Sequence, residues 1–158
     1  MTLPAFTAGG VLPEGGHAAS AEEVRSRLVG EFPASATRSS IHDFWQRHRE
    51  ALGELLPLHG QWLDGSFATD KPDPADADVV SFIDGPAFDE LPRHRQLLVR
   101  QLLLGTHTEA LWRCDSHPVL VYPEDHPGHR HTELAKSWWR HYFGRQRDGS
   151  PKGWVELP

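Results

Sequence analysis

Apolar residues recur at helical spacing in the first half of the chain, which predicts two helices. Over residues 39–56 the apolar side chains fall on one face and the charged ones on the other. A shorter helix is predicted to end near Val29, because Ser20 and Glu23 form a capping-box pattern at its start. Both helices are expected to pack against a core through their apolar faces.

The second half of the chain carries two further helical patterns. A long helix is predicted over residues 89–104, after a break at Gly85 and Pro86. Its inner face is expected to consist of Leu97, Leu98, Gln101 and Leu102. A last helix is predicted over residues 133–143, with Thr132 as its N-cap. Its inward-facing side chains are expected to be Leu134, Trp138 and Phe143.

Shorter apolar stretches between these helices predict β-strands. They cover residues 61–64, 79–83 and 109–122, followed by an edge strand over residues 152–157. Strands and helices alternate along the chain. The pattern therefore predicts an α+β fold with a short mixed β-sheet flanked by helices.

The length of the chain, 158 residues, fits a single domain with one core. Residues 1–19 are rich in glycine and proline and show no periodicity, so we expect an irregular N-terminal arm over a core formed by residues 20–158. No stretch of about 18 apolar residues is present that would span a membrane. The lone Cys114 excludes an intrachain disulfide, and no export-signal pattern is evident, which together predict a cytoplasmic protein.

The net charge of −6 argues against a large non-specific nucleic-acid surface, because such surfaces depend on an excess of Lys and Arg. A small basic groove is still compatible with this charge.

The clearest chemical pattern lies in the middle of the chain. Gly65 and Ser66 follow one predicted strand, and Asp76 and Asp78 open the next. Because alternate residues of a strand share a face, the two carboxylates are expected to point the same way. Paired carboxylates bind divalent metals, and a glycine-serine turn offers N–H groups and a hydroxyl to a phosphate. The stretch is therefore a candidate site for metal-assisted phosphate chemistry.

The order L-D-G-S-F, a linker and D-x-D at the start of a strand resembles the signature of the DNA polymerase β-like nucleotidyltransferase superfamily. Within it, the chain looks most like a group of small, uncharacterised bacterial proteins that carry the same L-D-G-S-F motif. The likeness extends from G-G-V-L-P-E-G near the start to G-R-Q-R-D-G-S-P-K-G near the end. This resemblance implies the minimal polymerase β-like nucleotidyltransferase fold.

The resemblance also implies an activity. The chain would transfer a nucleoside monophosphate from a nucleoside triphosphate to a hydroxyl of a protein, an RNA end or a small molecule. Gly65 and Ser66 would hold the triphosphate, while Asp76, Asp78 and a third carboxylate would hold two Mg²⁺ ions. Small members of the superfamily are associated with toxin–antitoxin or phage-defence modules, which implies a regulatory setting and a partner protein.

Two residues compete for the role of third carboxylate. Asp115 is our choice because it lies in the next predicted strand, whereas Glu124 lies among prolines in a predicted loop. The third carboxylate is also the candidate general base, for which its pKa would have to lie near the working pH.

The chain departs from the family pattern after the Gly-Ser pair. Many members carry an arginine shortly after it, whereas F-A-T-D follows here, which weakens the expected affinity for a triphosphate. Ala75 precedes the first aspartate where a serine is common. Lys71 and Lys152 are candidate phosphate contacts, although the ordinary interpretation of each is a solvated surface lysine.

Two other clusters have both a functional and a structural interpretation. His126, His129 and His131 could bind zinc, but their spacing matches no structural zinc site and favours a polar loop. Trp138 and Trp139 could stack on a base, but their helical spacing favours one ring in the core and Trp139 at the surface.

A second hypothesis is that the chain keeps the fold without catalysis and acts as a binding or antitoxin-like partner. The retained Asp76 and Asp78 favour an enzyme, whereas the missing arginine and the acidic linker with Asp70 and Asp73 favour the silent protein. Metal-dependent nucleotide binding distinguishes the two, and stoichiometric zinc would indicate the histidine site instead.

Overall fold

Five strands form one mixed sheet in the computed structural model, which describes residues 2–158. The strands are β1 (Gly15–Ala18), β2 (Leu58–Asp64), β3 (Ala77–Asp84), β4 (Cys114–Val121) and β5 (Gly153–Leu157). Their order across the sheet is β1-β5-β2-β3-β4. β2 runs antiparallel to β3 and β5, whereas the β1–β5 and β3–β4 pairs are parallel.

Helices flank this sheet, so the predicted α+β fold with a short mixed sheet is confirmed. They are α1 (Ala21–Arg25), α2 (Arg38–Gly53), α3 (Gly85–Glu90), α4 (Arg93–Gln101), α5 (Glu109–Trp112) and α6 (His129–Phe143). Within residues 2–158, none of these helices combines the length and the apolar character that crossing a membrane requires.

The predicted capping box at the start of α1 is confirmed. The Ser20 hydroxyl accepts a hydrogen bond from the N–H of Glu23 at 3.1 Å, and the Glu23 carboxylate accepts one from the N–H of Ser20 at 2.8 Å. A π-helical turn, Ser26–Gly30, continues α1 to the predicted end of the helix.

The two faces of the sheet bury alternate residues of its strands. Leu63 and Val79 point to the face covered by α2, where they pack with Ile41 and Trp45. The neighbouring residues of the same strands point to the other face, where the core consists of Trp62, Val80, Phe82, Val119, Trp154 and Phe143 of α6. Because helices cover both faces, the run 79–83 is buried throughout, as its continuous apolar character predicts.

The prediction of one long helix over residues 89–104 is wrong. The chain forms α3, breaks at Leu91 and Pro92, and then forms α4. Gly85 and Pro86 begin α3 instead of ending an element, because the Asp84 side chain accepts a hydrogen bond from the N–H of Ala87 at 2.8 Å.

Because of this break, the side chains that α4 buries differ from those predicted. Leu97 and Leu98 are 50% and 46% exposed, whereas Val99 and Leu103 are buried. A proline has no N–H to continue a helix, so α4 starts afresh after Pro92 with its own orientation.

The segment 109–122, predicted to be one strand, begins instead with the helical turn α5. Arg113 then adopts a left-handed conformation, with φ of 50°, and reverses the chain into β4. The apolar alternation of residues 110–114 is short enough to fit one helical turn as well as a strand, which explains the error.

The last helix starts four residues before its predicted N-terminus, at His129. Thr132 is therefore not a cap: its buried hydroxyl donates to the carbonyl of Leu120 at 2.8 Å and accepts from the N–H of Tyr122 at 3.0 Å. Phe143 is buried as predicted, whereas Leu134 and Trp138 are more than half exposed. Trp139, expected at the surface, packs against the core instead.

Both ends of the chain take part in the sheet more closely than predicted. Residues 15–18 of the supposed irregular arm form β1, and the buried Leu3 and Leu12 join the core. Strand β5 lies between β1 and β2, so the prediction of an edge strand is wrong. The sequence G-G-H-A of β1 has almost no strand propensity, and only its pairing with β5 makes it a strand.

Candidate active site

Three aspartates lie side by side at one end of the sheet. Asp64 at the end of β2 is the register partner of Asp78 in β3, and Asp78 is the register partner of Asp115 in β4. Residues opposite one another on adjacent strands point to the same face. We call Asp64, Asp78 and Asp115 the aspartate row, and it lies on the face of the sheet that α6 covers.

Lys152 extends this row at the side of β5. Its Nζ lies 2.6 Å from Oδ2 of Asp64, and both side chains are largely buried. Burial raises the pKa of Asp64 to about 7, which the positive charge of Lys152 opposes. The order across the site is therefore one cation followed by three carboxyl groups.

The predicted Gly-Ser turn lies directly against the aspartate row. Gly65 has φ of 75° and ψ of −164°, and a Cβ at this position would come within 2.7 Å of the Asp78 carboxylate. Only glycine permits both the conformation and the contact. Ser66 starts a 3₁₀ turn, Ser66–Ala68, which the Thr69 hydroxyl stabilises by donating to the carbonyl of Ser66 at 2.8 Å.

Arg38, at the start of α2, holds the loop that follows this turn. Its fully buried guanidinium donates to the carbonyls of Phe67 at 2.8 Å, Thr69 at 2.6 Å and Lys71 at 2.6 Å. It also donates to the carbonyl of Leu28 at 2.8 Å. Burial lowers the pKa of Arg38 to about 10, so the group remains a cation at neutral pH. Arg38 acts as a positioning residue for the Gly-Ser loop.

A cavity of about 710 Å³ contains the predicted site residues together. Its acidic lining consists of Asp64, Asp76, Asp78, Glu109 and Asp115. Its basic lining consists of Lys71, Arg145, Arg147 and Lys152, with His141 beside them. Gly65 and Ser66 line the same cavity, so the structure brings the turn and the carboxylates together as the motif predicts.

The acidic groups in the cavity repel one another. Burial and the charges of Asp76 and Asp115 together raise the pKa of Asp78 to about 6, against the opposing effects of Lys152 and His117. Partial burial and a hydrogen bond with Asp76 raise the pKa of Glu109 above its ordinary value. Ionising all of these neighbouring carboxyl groups at once is therefore unfavourable without a further cation between them.

In the part of the chain that the structure describes, no group of three or more His, Cys, Asp or Glu side chains is arranged as a complete metal site. Carboxylate oxygens are nevertheless the donors that Mg²⁺ takes from proteins, and this ion usually completes its coordination with water and substrate phosphates. The donor set of Asp76, Asp78 and Asp115, whose carboxyl groups repel one another, fits such an ion.

A family model matches residues 4–158, a range that includes the whole cavity: "Family of unknown function (DUF6932)". The chain belongs to the DUF6932 family. No curated protein and no solved structure matches the chain.

The two candidates for the third carboxylate take different positions in this DUF6932 protein. Asp115 lies in the aspartate row, whereas Glu124 is exposed in the loop after β4 and does not line the cavity. Oδ1 of Asp115 lies 2.7 Å from Nε2 of His117, close enough for an ion pair but not aligned as a hydrogen bond. His117 is a site residue that the sequence motif did not indicate.

The three histidines considered for zinc do not converge. Nδ1 of His126 accepts from the N–H of Gly128 at 2.9 Å, and its ring stacks on Tyr122. Nδ1 of His129 lies 3.0 Å from the carbonyl of Tyr122, and His131 is exposed in the first turn of α6. His126 and His129 therefore hold the loop that leads into α6.

The sequence pattern also missed two residues that contribute to the site, Glu109 and Arg38. Glu109 fell in a segment predicted to be a strand, so its proximity to Asp76 was not foreseen. Arg38 carries no local signal, because its partners are backbone carbonyls of the π-helical turn after α1 and of the loop after Gly-Ser. Of the two lysines considered, Lys71 is exposed at the cavity, whereas Lys152 pairs with Asp64 instead of being solvated.

Proposed function

We propose that the chain is a Mg²⁺-dependent nucleotidyltransferase with a polymerase β-like core. The observation that carries the proposal is the aspartate row beside the Gly-Ser turn, in one cavity with Asp76. The chain passes from α2 through β2 to β3, which is antiparallel to β2, and then to β4, which is parallel to β3. This connection brings the end of β2 and the starts of β3 and β4 to the same end of the sheet, in agreement with the fold that the resemblance implies.

The substrate is a nucleoside triphosphate. Ser66 and the N–H groups of its turn bind the triphosphate, and Asp76, Asp78 and Asp115 hold Mg²⁺. When bound, Mg²⁺ neutralises charge on the phosphates and stabilises the attacking and leaving oxygens. Gly65 lets the turn lie against Asp78, so phosphate and carboxylate sites are adjacent.

The proposed reaction transfers the nucleoside monophosphate to an acceptor hydroxyl. The hydroxyl oxygen forms a bond to the α-phosphorus, and the bond from that phosphorus to the bridging oxygen of the β-phosphate breaks. Pyrophosphate leaves with the bond electrons, and the hydroxyl proton passes to Asp115, the proposed general base. The acceptor is a hydroxyl of a protein, an RNA end or a small molecule.

Calorimetry with ATP, GTP, CTP and UTP, with and without Mg²⁺, tests the proposal. We expect one or more triphosphates to bind the wild type only with Mg²⁺, and this binding to be lost in the D76N/D78N double variant. Asp115→Asn should also abolish it, whereas Glu124→Gln, outside the cavity, should leave it unchanged. The absence of triphosphate binding by a folded wild type would remove the enzyme proposal.

A second candidate function is a catalytically silent protein of the same fold that binds a partner protein. One argument for it is that Lys152 already pairs with Asp64, so this cation of the cavity is not free for a phosphate. Another is that Leu134, Trp138 and Tyr142 are exposed on α6. These three side chains are spaced four residues apart and form an apolar strip of the kind found at protein interfaces. This candidate becomes the first choice if no triphosphate binds.

A further inference from the structure

A short hairpin between α6 and β5 brings positive charge to the cavity. Residues 145–152, which we call the basic hairpin, fold back through a bridge between Arg145 and Pro151. Arg145, Arg147 and Lys152 all line the cavity that contains the aspartate row. In a chain with a net charge of −6, this is a local concentration of cations next to a concentration of acids.

Hydrogen bonds hold the backbone of the basic hairpin in one shape. The N–H of Gln146 donates to the carbonyl of Ser150 at 2.8 Å, and its side chain donates to the Ser150 hydroxyl at 2.8 Å. Oδ1 of Asp148 accepts from the N–H and the hydroxyl of Ser150 at 2.9 and 2.6 Å. Gly149 completes the turn with φ of 85°. The hairpin is therefore ordered before any ligand arrives.

The arginines on this ordered backbone keep most of their donors free. Within residues 2–158, the exposed Arg147 side chain has no hydrogen-bond or ion-pair partner. Arg145 uses only Nη1, which donates to the carbonyl of Gly149 at 3.1 Å. A guanidinium has five N–H donors in a planar fork that matches phosphate oxygens. Two such forks face a cavity whose carboxylates suit a metal.

The position of Lys152 fixes the direction of the site. Lys152 contacts Asp64, and the order across the sheet then continues to Asp78 and Asp115. The cations therefore lie at the β5 end of the aspartate row, and the general base proposed above lies at the β4 end. A triphosphate aligned with this order would have its terminal phosphates at the basic hairpin and its α-phosphorus near Asp78.

We propose that the basic hairpin binds the β- and γ-phosphates of the nucleoside triphosphate through Arg145 and Arg147. The hairpin would supply the positive charge that the segment F-A-T-D, directly after Gly-Ser, does not carry. The inference rests on the proposed function, because it assumes that the ligand is a triphosphate. It adds that affinity for the triphosphate over the monophosphate depends on these two arginines.

The test is calorimetry on the R145Q/R147Q double variant. The ligands are the four nucleoside triphosphates, the matching monophosphates and inorganic tripolyphosphate, all with Mg²⁺. The wild type should bind a triphosphate more tightly than its monophosphate. In the variant, affinity for the triphosphate and for tripolyphosphate should fall roughly tenfold or more for each arginine replaced. Affinity for the monophosphate should stay within about twofold of the wild type.

The matched control is R93Q/R95Q, which removes the same charge from exposed arginines on α4, outside the cavity. It should leave all affinities unchanged. If the control weakens triphosphate binding as much as R145Q/R147Q does, the effect is a general loss of positive charge, and the proposal is overturned.

The remaining outcomes separate this inference from the proposed function. If D76N/D78N abolishes Mg²⁺-dependent binding while R145Q/R147Q leaves triphosphate affinity unchanged, the hairpin inference fails and the proposed function stands. If tripolyphosphate binding depends on the arginines while no nucleotide binds, the proposed function and the inference both fail, because the hairpin then binds a polyphosphate that is not a nucleoside triphosphate. A failure of tripolyphosphate to bind the wild type overturns the inference.

A single-stranded oligonucleotide is the last ligand to compare. If it binds more tightly than any triphosphate and this binding is lost in R145Q/R147Q, the hairpin binds polynucleotides and the inference is overturned.

Discussion

Arg38 illustrates how one buried residue determines the shape of the candidate site. Its guanidinium is fully buried and lies 3.8 Å from the centre of the Phe32 ring. It donates to the carbonyls of Leu28 and Phe67. These carbonyls belong to the π-helical turn after α1 and to the loop after Gly-Ser. Without the guanidinium they would be buried without a donor, which is costly.

Replacing Arg38 by methionine should therefore lower the free energy of unfolding by on the order of 3 kcal/mol. Arg38→Lys should recover only part of this loss, because an ammonium cannot reproduce the planar fork. Urea denaturation gives the measurement. Arg47→Met, an exposed arginine on the same helix, is the control and should change stability by less than about 0.5 kcal/mol.

His48 gives the fold a dependence on pH. The ring is buried, Nε2–H donates to the carbonyl of Leu102 at 2.6 Å, and Nδ1 has no partner within residues 2–158. A second proton would have to be placed on Nδ1 without an acceptor. Burial accordingly lowers the pKa of His48 in the folded state, and the Leu102 carbonyl only partly opposes this.

The sign of the pH effect follows from this lowered pKa. Below a pH of about 6.5 the unfolded chain binds a proton at His48 that the folded protein does not, so acidification should reduce the free energy of unfolding. His48→Gln should make the loss of stability between about pH 7 and pH 5 shallower. Urea midpoints across this range measure it, with exposed His107→Gln as the control. A slope unchanged by His48→Gln contradicts the prediction.

The residues of the site differ in how far the sequence could indicate them. Gly65, Ser66, Asp76 and Asp78 form a local motif, because the turn and the strand start need those residue types at that spacing. Arg147 lies more than 60 positions further along the chain, and only the folded hairpin brings it to the cavity. Long-range contacts of this kind leave no periodic signal in the sequence.

At the scale of elements, periodicity located α2 and β3 well and misplaced the helices after β3. α2 buries one stripe of side chains and β3 is buried on both faces, so the apolar residues of each form a clear pattern in the sequence. Residues 89–104 contain apolar residues on several sides, and the effect of Pro92 on the phase of α4 could not be read from the apolar positions alone.

The observed orientation of α4 leads to a prediction of its own. Leu103, just after α4, is buried with Leu52, Ile83 and Val99, so Leu103→Ala should lower the free energy of unfolding by about 2–4 kcal/mol. Leu97→Ala should change it by less than about 0.5 kcal/mol, because that side chain is half exposed. The opposite ranking in urea denaturation would mean that the helix presents its other face to the core.

For the molecule as a whole, β5 is the strand on which the sheet depends. It pairs with β1 on one side and β2 on the other, and its Val155 and Trp154 enter the cores on opposite faces of the sheet. The mixed α+β architecture was foreseeable from alternating elements. The central place of β5 was not, because pairing Gly15 with Gly153 joins two distant and weakly patterned segments.

Removing residues 153–158 should therefore unfold the protein instead of shortening one edge. Within residues 2–158, β1 would lose its only partner strand and β2 would lose one of its two. Lys152 would lose the strand that carries it to Asp64. Thermal unfolding followed by circular dichroism should show no cooperative transition in the truncated chain. A transition close to that of the full chain would mean that β2, β3 and β4 suffice for stability.

The place of β5 also sets the order in which the cavity can be assembled during synthesis. A ribosome delivers β1 first and β5 only after β2, β3 and β4, so β1 has no strand to join until β5 has emerged. The aspartates of β2, β3 and β4 are already in the nascent chain at that stage, but the basic hairpin and Lys152 are made just before β5. A partly made chain therefore holds the acids and Lys71 but lacks Arg145, Arg147 and Lys152, so most of the positive charge of the cavity is added at the end of synthesis.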